Sequence, residues 1–156
     1  AIAESLLNLI WAPLTYGLKG VSLSANWMWP AKNEGENARL YAAVEAVSDF
    51  ACKLGINIPT GKDSLSMTQK YPNGEVVYSP GTVIISAVAE VSEIRQTVSP
   101  ALQPIFGSRL IYIDFSKDQY QLGGSSFAQI VNLLGTVTPT ITDEHYFAAA
   151  FEAVQR

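Results

Sequence analysis

Apolar positions recur with two different periods along this chain, and the changes of period divide it into elements. Over residues 1–12, Leu6, Leu7, Ile10 and Trp11 fall on one helical face. Pro13 ends that run, because proline cannot donate the next helical hydrogen bond. From Val21 to Met28 the period becomes two, with Val21, Leu23, Ala25 and Trp27 on one face of a predicted strand. Pro30 to Gly35 reads as a loop. The clearest helix follows, with Leu40, Val44, Val47, Ala51 and Leu54 at three- and four-residue steps and Gly55 placed to close it. Ile56 to Pro59 is a short buried strand entering a polar turn led by Gly61.

Ser64–Tyr71 and Glu75–Ser79 flank Pro72-Asn73-Gly74, the composition of a hairpin turn. Thr82–Val91 is almost continuously apolar and β-branched, which predicts a central strand. Residues 98–107 hold two prolines and a glycine and form the expected boundary between a segment over 1–97 and another over 108–156. Beyond it, Leu110–Phe115 reads as a strand, Gly123-Gly124-Ser125-Ser126 opens a helix through Leu134, and Asp143 caps a last helix. That helix turns Tyr146, Phe147, Ala150, Phe151 and Val154 inward. Hairpins mixed with helices predict an α+β or mixed α/β fold, with no internal repeat.

Composition narrows the function classes. The chain has 156 residues, 48% of them hydrophobic and only 15% charged, so part of its surface is expected to be covered by partner protein. A net charge of −4 and no basic cluster exclude non-specific nucleic-acid binding. The one cysteine, Cys52, rules out a disulfide framework and a cysteine metal cluster, and points to a reducing, cytosolic setting. No signal-peptide pattern or membrane-length apolar run is present. A helical pattern runs to both ends, which reads as a segment of a longer protein.

Two groups carry candidate chemistry. Glu4 and Asn8 are four residues apart on a helix, so a carboxylate and an amide oxygen share one face. These are hard ligands suited to Mg²⁺ beside phosphates, or else a solvated polar stripe. Gly61-Lys62-Asp63-Ser64 could meet an anion, with glycine allowing close backbone approach and lysine supplying charge, or could be a polar turn bonding to its own backbone. Gly123–Ser126 could offer N–H groups to an anion, but reads better as small residues for close packing. The lone His145 reads as a surface or helix-cap residue. Cys52 reads as core, as do Trp27 and Trp29, with Trp29 the one expected to meet a partner.

Three stretches, Ala1-Ile2-Ala3-Glu4-Ser5-Leu6-Leu7-Asn8, Leu23-Ser24-Ala25-Asn26-Trp27-Met28 and Ile58-Pro59-Thr60-Gly61-Lys62-Asp63-Ser64-Leu65-Ser66-Met67, resemble phosphoribosylformylglycinamidine synthase. Val83–Ala87 and Leu122–Ser125 also fit, so the resemblance runs in order through nearly the whole chain. The Lys62-Asp63-Ser64 form is similar to the large, single-chain type of that enzyme. One stretch departs: Trp29-Pro30-Ala31-Lys32-Asn33-Glu34 stands where the family has a smaller loop containing glycine and histidine.

The resemblance implies an aminoimidazole ribonucleotide synthetase-like fold, whose amino-terminal domains pair into a shared β-barrel. Residues 1–97 would be the later part of such a domain and 108–156 the opening of its carboxy-terminal companion. The implied reaction is carbon–nitrogen ligation in de novo purine synthesis. Formylglycinamide ribonucleotide, glutamine and ATP give formylglycinamidine ribonucleotide, glutamate, ADP and phosphate. Glu4 and Asn8 then match Mg²⁺ ligands beside a nucleotide, and Lys62, Asp63 and Ser64 a nucleotide-pocket loop. The implied partners are the second synthetase copy and the glutaminase domain of the same polypeptide, and no catalytic residue is expected in this segment. The expected behaviour of the excised chain is inactivity, weak Mg–ADP binding and self-association. The rival reading is a scaffold segment that binds no nucleotide.

Overall fold

Strand β1 (Ser22–Met28) organises the first half of the chain, and its alternation explains why. Leu23 and Ala25 point to one face and are buried, while Ser22, Ser24 and Asn26 point to the other and are only half-buried. In the computed structural model, which describes residues 1–156, β1 is the middle of a three-stranded sheet. It pairs in parallel with β2 (Asn57–Ser64) and antiparallel with β5 (Thr82–Val88). A parallel neighbour needs a long crossover. Here α2 (Glu36–Leu54) supplies it, entered and left through Gly35 and Gly55 in left-handed conformations with φ 77° and 70°. Helix α1 (Ile2–Leu9) packs along β5 with Ile2 and Leu6 buried, and a hairpin of β3 (Thr68–Lys70) and β4 (Val76–Tyr78) stands apart from the sheet. The molecule is thus α+β, and no helix is long and apolar enough to cross a membrane.

Two compact units divide the chain, Ala1–Ser99 with Gln155 and Pro100–Val154 with Arg156. In the second, α3 (Ser126–Ile130) starts at Ser125, whose Oγ accepts from the Ala128 N–H at 3.1 Å. α4 (Glu144–Val154) starts at Asp143, whose Oδ1 accepts from the Tyr146 N–H at 2.8 Å. Lys117 reinforces that cap. Its Nζ lies 3.0 Å from Asp143 Oδ2 and 4.3 Å from the centre of the Tyr146 ring. Phe147 and Phe151, one helical turn apart, are fully buried.

The Tyr146 N–H, and after it the Lys117 ammonium, hold the Asp143 carboxyl below its ordinary value of 3.8. A depressed carboxyl pKa contributes stability that is complete above the ordinary value and is lost as pH falls through the folded value. The Tyr146 amide shift is therefore expected to titrate with a midpoint below pH 3.8. In Asp143→Asn, which keeps an acceptor but cannot ionise, that step should vanish. A wild-type midpoint at or above 3.8 would refute the cap assignment.

Several expectations from sequence are corrected. Gly61 to Ser64 is the second half of β2 and not a turn, because the ladder with β1 continues through Ala25–Gly61 to Met28–Ser64. β5 is an edge strand, since the central place is taken by β1. Leu110–Phe115 forms no strand: no neighbouring segment pairs with it, and Leu110, Ile111 and Tyr112 are exposed. α3 stops at Ile130, where Asn132 turns left-handed with φ 55° and the Leu133 N–H closes back on Ala128 O. α1 is shorter than expected, and Trp11 lies outside it on the surface. Cys52 is exposed on α2, one position off the buried Ala51–Leu54 line. Trp29, expected to face a partner, is buried, whereas Trp27 is only half-covered.

Candidate functional site

The α1–β5 contact places both oxygen-bearing side chains of α1 in one depression. Ala1, Glu4, Ser5 and Asn8 line it from the helix, and Val83, Ile84 and Ile85 from the strand, around about 310 Å³. Leu6 and Ile2 anchor the opposite side of the helix, which turns Glu4 and Asn8 outward, one turn apart and exposed. Ser5 Oγ donates to Ile2 O at 2.8 Å and is thereby held against the helix.

The second group lies on β2, across β1 from the strand that lines the depression. Lys62 pairs in register with Asn26, and Asn26 pairs with Ile84 on β5, so the three residues form one row on one face. Adjacent strands are about 4.8 Å apart, which separates the Lys62 backbone from Ile84 by roughly 10 Å. Lys62 Nζ donates to Ser64 Oγ two residues along the same face. Asp63 points to the other face, level with Trp27. Glu4 and Asn8 are therefore brought together, Lys62 and Ser64 are brought together, and Asp63 is turned to the face opposite Lys62 and Ser64.

Asn26 is the polar residue that sequence reasoning missed. Its signal was available in the alternation of Ser22, Ser24 and Asn26 against Leu23, Ala25 and Trp27. With Thr60 and Ser86, which pair with Ser24, these residues make a hydroxyl and amide face carrying a single ammonium. Such a face suits hydrogen bonding to an anion.

The depression fits a metal ion only in part. A carboxylate and an amide oxygen are donors that Mg²⁺ accepts, and the ion normally completes its six positions with waters and phosphate oxygens. No group of three or more His, Cys, Asp or Glu side chains is assembled for a metal, so Glu4 and Asn8 could supply only part of a shell. The glycine pair is no anion cradle. The Gly123 N–H donates to Val137 O and the Gly124 N–H to Leu134 O, both at 2.8 Å, and a Cβ on Gly123 would stand 2.3 Å from Val137 O. Close packing explains that motif. His145 is exposed on α4, and Asp143 is committed to the helix cap.

Carboxyl groups held well below their ordinary range occur elsewhere, for local reasons. The Arg95 side chain, and then its backbone N–H, hold Glu93 down to about 2. The Ser116 hydroxyl and N–H lower Asp114. Both are turn structures with internal partners.

The family model described as the FGAR-AT PurM_N-like domain matches residues 1–90. A Caenorhabditis elegans protein named "Probable phosphoribosylformylglycinamidine synthase" is 43% identical over 99% of this chain and 12% of its own length. An Arabidopsis thaliana protein named "Probable phosphoribosylformylglycinamidine synthase, chloroplastic/mitochondrial" is 41% identical over 99% of this chain and 11% of its own length. The chain thus spans about an eighth or less of the curated relatives it matches.

Proposed function

The chain belongs to the phosphoribosylformylglycinamidine synthase family, and from that premise we propose that it contributes Mg–nucleotide ligands to an ATP-dependent ligase of purine synthesis. In this reading the whole protein amidates formylglycinamide ribonucleotide, consuming glutamine and ATP and releasing glutamate, ADP and phosphate. The observation that carries it is the placement of Glu4 and Asn8 in one depression beside β5. Glu4 and Asn8 would hold Mg²⁺, which neutralises phosphate charge when bound. Lys62 and Ser64 would meet a phosphate by charge and hydrogen bonding. Asp63, on the opposite face, would act on the pocket through β2 and not by direct contact. The cytosol is the compartment proposed, from the single thiol.

Glu4→Ala in the full-length protein tests this. Even outer partners of metal ligands are worth about 10–100-fold in metal affinity, so loss of a direct ligand is expected to weaken Mg–ADP binding at least about tenfold. Metal content should fall with it. Unchanged nucleotide occupancy and metal content would favour the rival scaffold reading, in which the segment only completes a barrel. The chain alone is proposed to be inactive, because it offers two oxygen donors and no assembled acid–base group; amidation by the isolated chain would overturn that.

The barrel itself is proposed through β5. Thr82–Val88 carries no charge and no proline, so its own residues do not oppose pairing at the edge that β1 leaves free, whereas β2 carries Pro59, Lys62 and Asp63. The second synthetase copy and the glutaminase domain of one long polypeptide are the proposed partners. Without them the chain is expected to self-associate, and light scattering that gives a clean monomer at high concentration would count against this edge.

A further inference from the structure

β1 ends at Met28, yet its pairing with the β2 side continues through Trp29. The Trp29 N–H donates to Ser64 O at 2.9 Å, the Ala31 N–H to Leu65 O at 3.1 Å, and Trp29 O accepts from the Met67 N–H at 3.4 Å. The side chain is 7% exposed. Its indole N–H donates to Glu36 Oε2 at 2.9 Å, at the first residue of α2, and Glu36 Oε1 is in turn held by Arg39 at 2.7 Å. The ring lies against Gly81, where an added Cβ would stand 2.4 Å from a ring carbon. One residue therefore ties together the end of β2, the start of α2 and the approach to β5.

The intervening loop is closed on itself, with both the N–H and the Nδ2 of Asn33 donating to Pro30 O, at 3.0 and 2.9 Å. We propose that Trp29 is a positioning residue for Lys62 and Ser64: its indole bond to Glu36 holds the end of β2 so that this ammonium and hydroxyl stand where a phosphate group meets them. The inference rests on the reading that Lys62 and Ser64 bind the nucleotide.

Three variants of the full-length protein test it. Trp29→Phe keeps a ring but removes the donor, Glu36→Ala removes the acceptor from a half-buried position, and Glu36→Gln keeps an acceptor oxygen. Two readouts are needed: peptide-level hydrogen exchange over residues 61–67 without ligand, and Mg–ADP affinity. A hydrogen bond to a charged group corresponds to about tenfold or more in an opening equilibrium. Exchange over 61–67 is therefore expected to rise about tenfold in Trp29→Phe and Glu36→Ala and to stay near wild type in Glu36→Gln. Mg–ADP affinity should follow the same order. Unchanged exchange over 61–67 in both Trp29→Phe and Glu36→Ala overturns the positioning role, whatever the nucleotide does. Faster exchange with unchanged nucleotide affinity also overturns it, because β2 would then move without consequence for the phosphate. Wild-type protein whose Mg–ADP affinity is unaffected by Lys62→Ala refutes the underlying site, and with it the phosphate role given to Trp29, while exchange still reports whether the indole bond holds the strand.

Discussion

Gly61→Ala is expected to destabilise the protein by about 3 kcal/mol or more, at the upper end of what overpacking does. At most positions in a strand, alanine would improve on glycine, because glycine loses more conformational freedom on folding. Here the neighbouring backbone decides the sign. Gly61 sits opposite Ala25 in the parallel ladder, and an ideal Cβ would lie 2.3 Å from the Ala25 carbonyl oxygen and 3.3 Å from its carbon. The clash is with main chain, which cannot rotate away as a side chain would. Ala25 itself is buried in the middle of the central strand, so the strain has nowhere cheap to go. Either β2 moves off β1 or the ladder breaks at its midpoint. Both displace Lys62 and Ser64, so the nucleotide affinity proposed for that pair should fall along with stability. Urea unfolding of Gly61→Ala beside Thr60→Ala, an exposed neighbour expected to change stability by less than about 1 kcal/mol, checks this. Equal stabilities for the two variants would mean that the strands are not as close at Ala25 as described.

The same glycine shows where sequence reasoning stops. Gly61-Lys62-Asp63-Ser64 carries the composition of a turn, and nothing local distinguishes a polar turn from a polar strand. The ladder with β1 makes it a strand, and that partner lies more than thirty residues away by sequence, across α2. The elements that were legible have their causes nearby. Gly55 closes α2, Asp143 opens α4, and Asn73-Gly74 turns the hairpin, with the Glu75 N–H donating to Asn73 Oδ1 at 3.0 Å. Glu4 and Asn8 were legible as a pair because helical spacing alone puts them on one face. Asn26 was not singled out, because its importance is a matter of register: only the β2–β1–β5 order sets it between Lys62 and Ile84. Leu110–Phe115 was misread for the complementary reason. β-propensity records how well a residue fits a paired surface, and here no paired surface forms. Trp29 lies just past the strand end, where period-two alternation no longer specifies a face, and its burial follows from the space that Gly81 leaves.

Phe147→Ala is expected to lower the unfolding free energy by about 3–5 kcal/mol, the range for removing a fully buried aromatic side chain. Phe147 has no exposed surface, and its ring stands 5.9 Å from that of Phe115 at 59°, a tilted pairing that adds to simple burial. Within the second unit this contact matters more than it would in a sheet-based core. α3 and α4 are the helices there, Leu110–Phe115 contributes no strand ladder, and many of the unit's large apolar side chains lie in water. With few ladder bonds to share the load, order around Phe115 depends on the face of α4 that carries Phe147 and Phe151. The turn from Asp114 to Ser116, which contains Phe115, reports the loss directly. The Tyr146 hydroxyl donates to Asp114 O at 2.8 Å, so a shifted α4 releases that bond as well. Phe147→Leu, which keeps most of the apolar contact and loses only the ring pairing, should cost about 1–1.5 kcal/mol. The pair of variants separates ring geometry from burial: if denaturant midpoints for Phe147→Leu and Phe147→Ala coincide, the cavity is not what destabilises the unit, and the tilted pairing with Phe115 carries most of the effect.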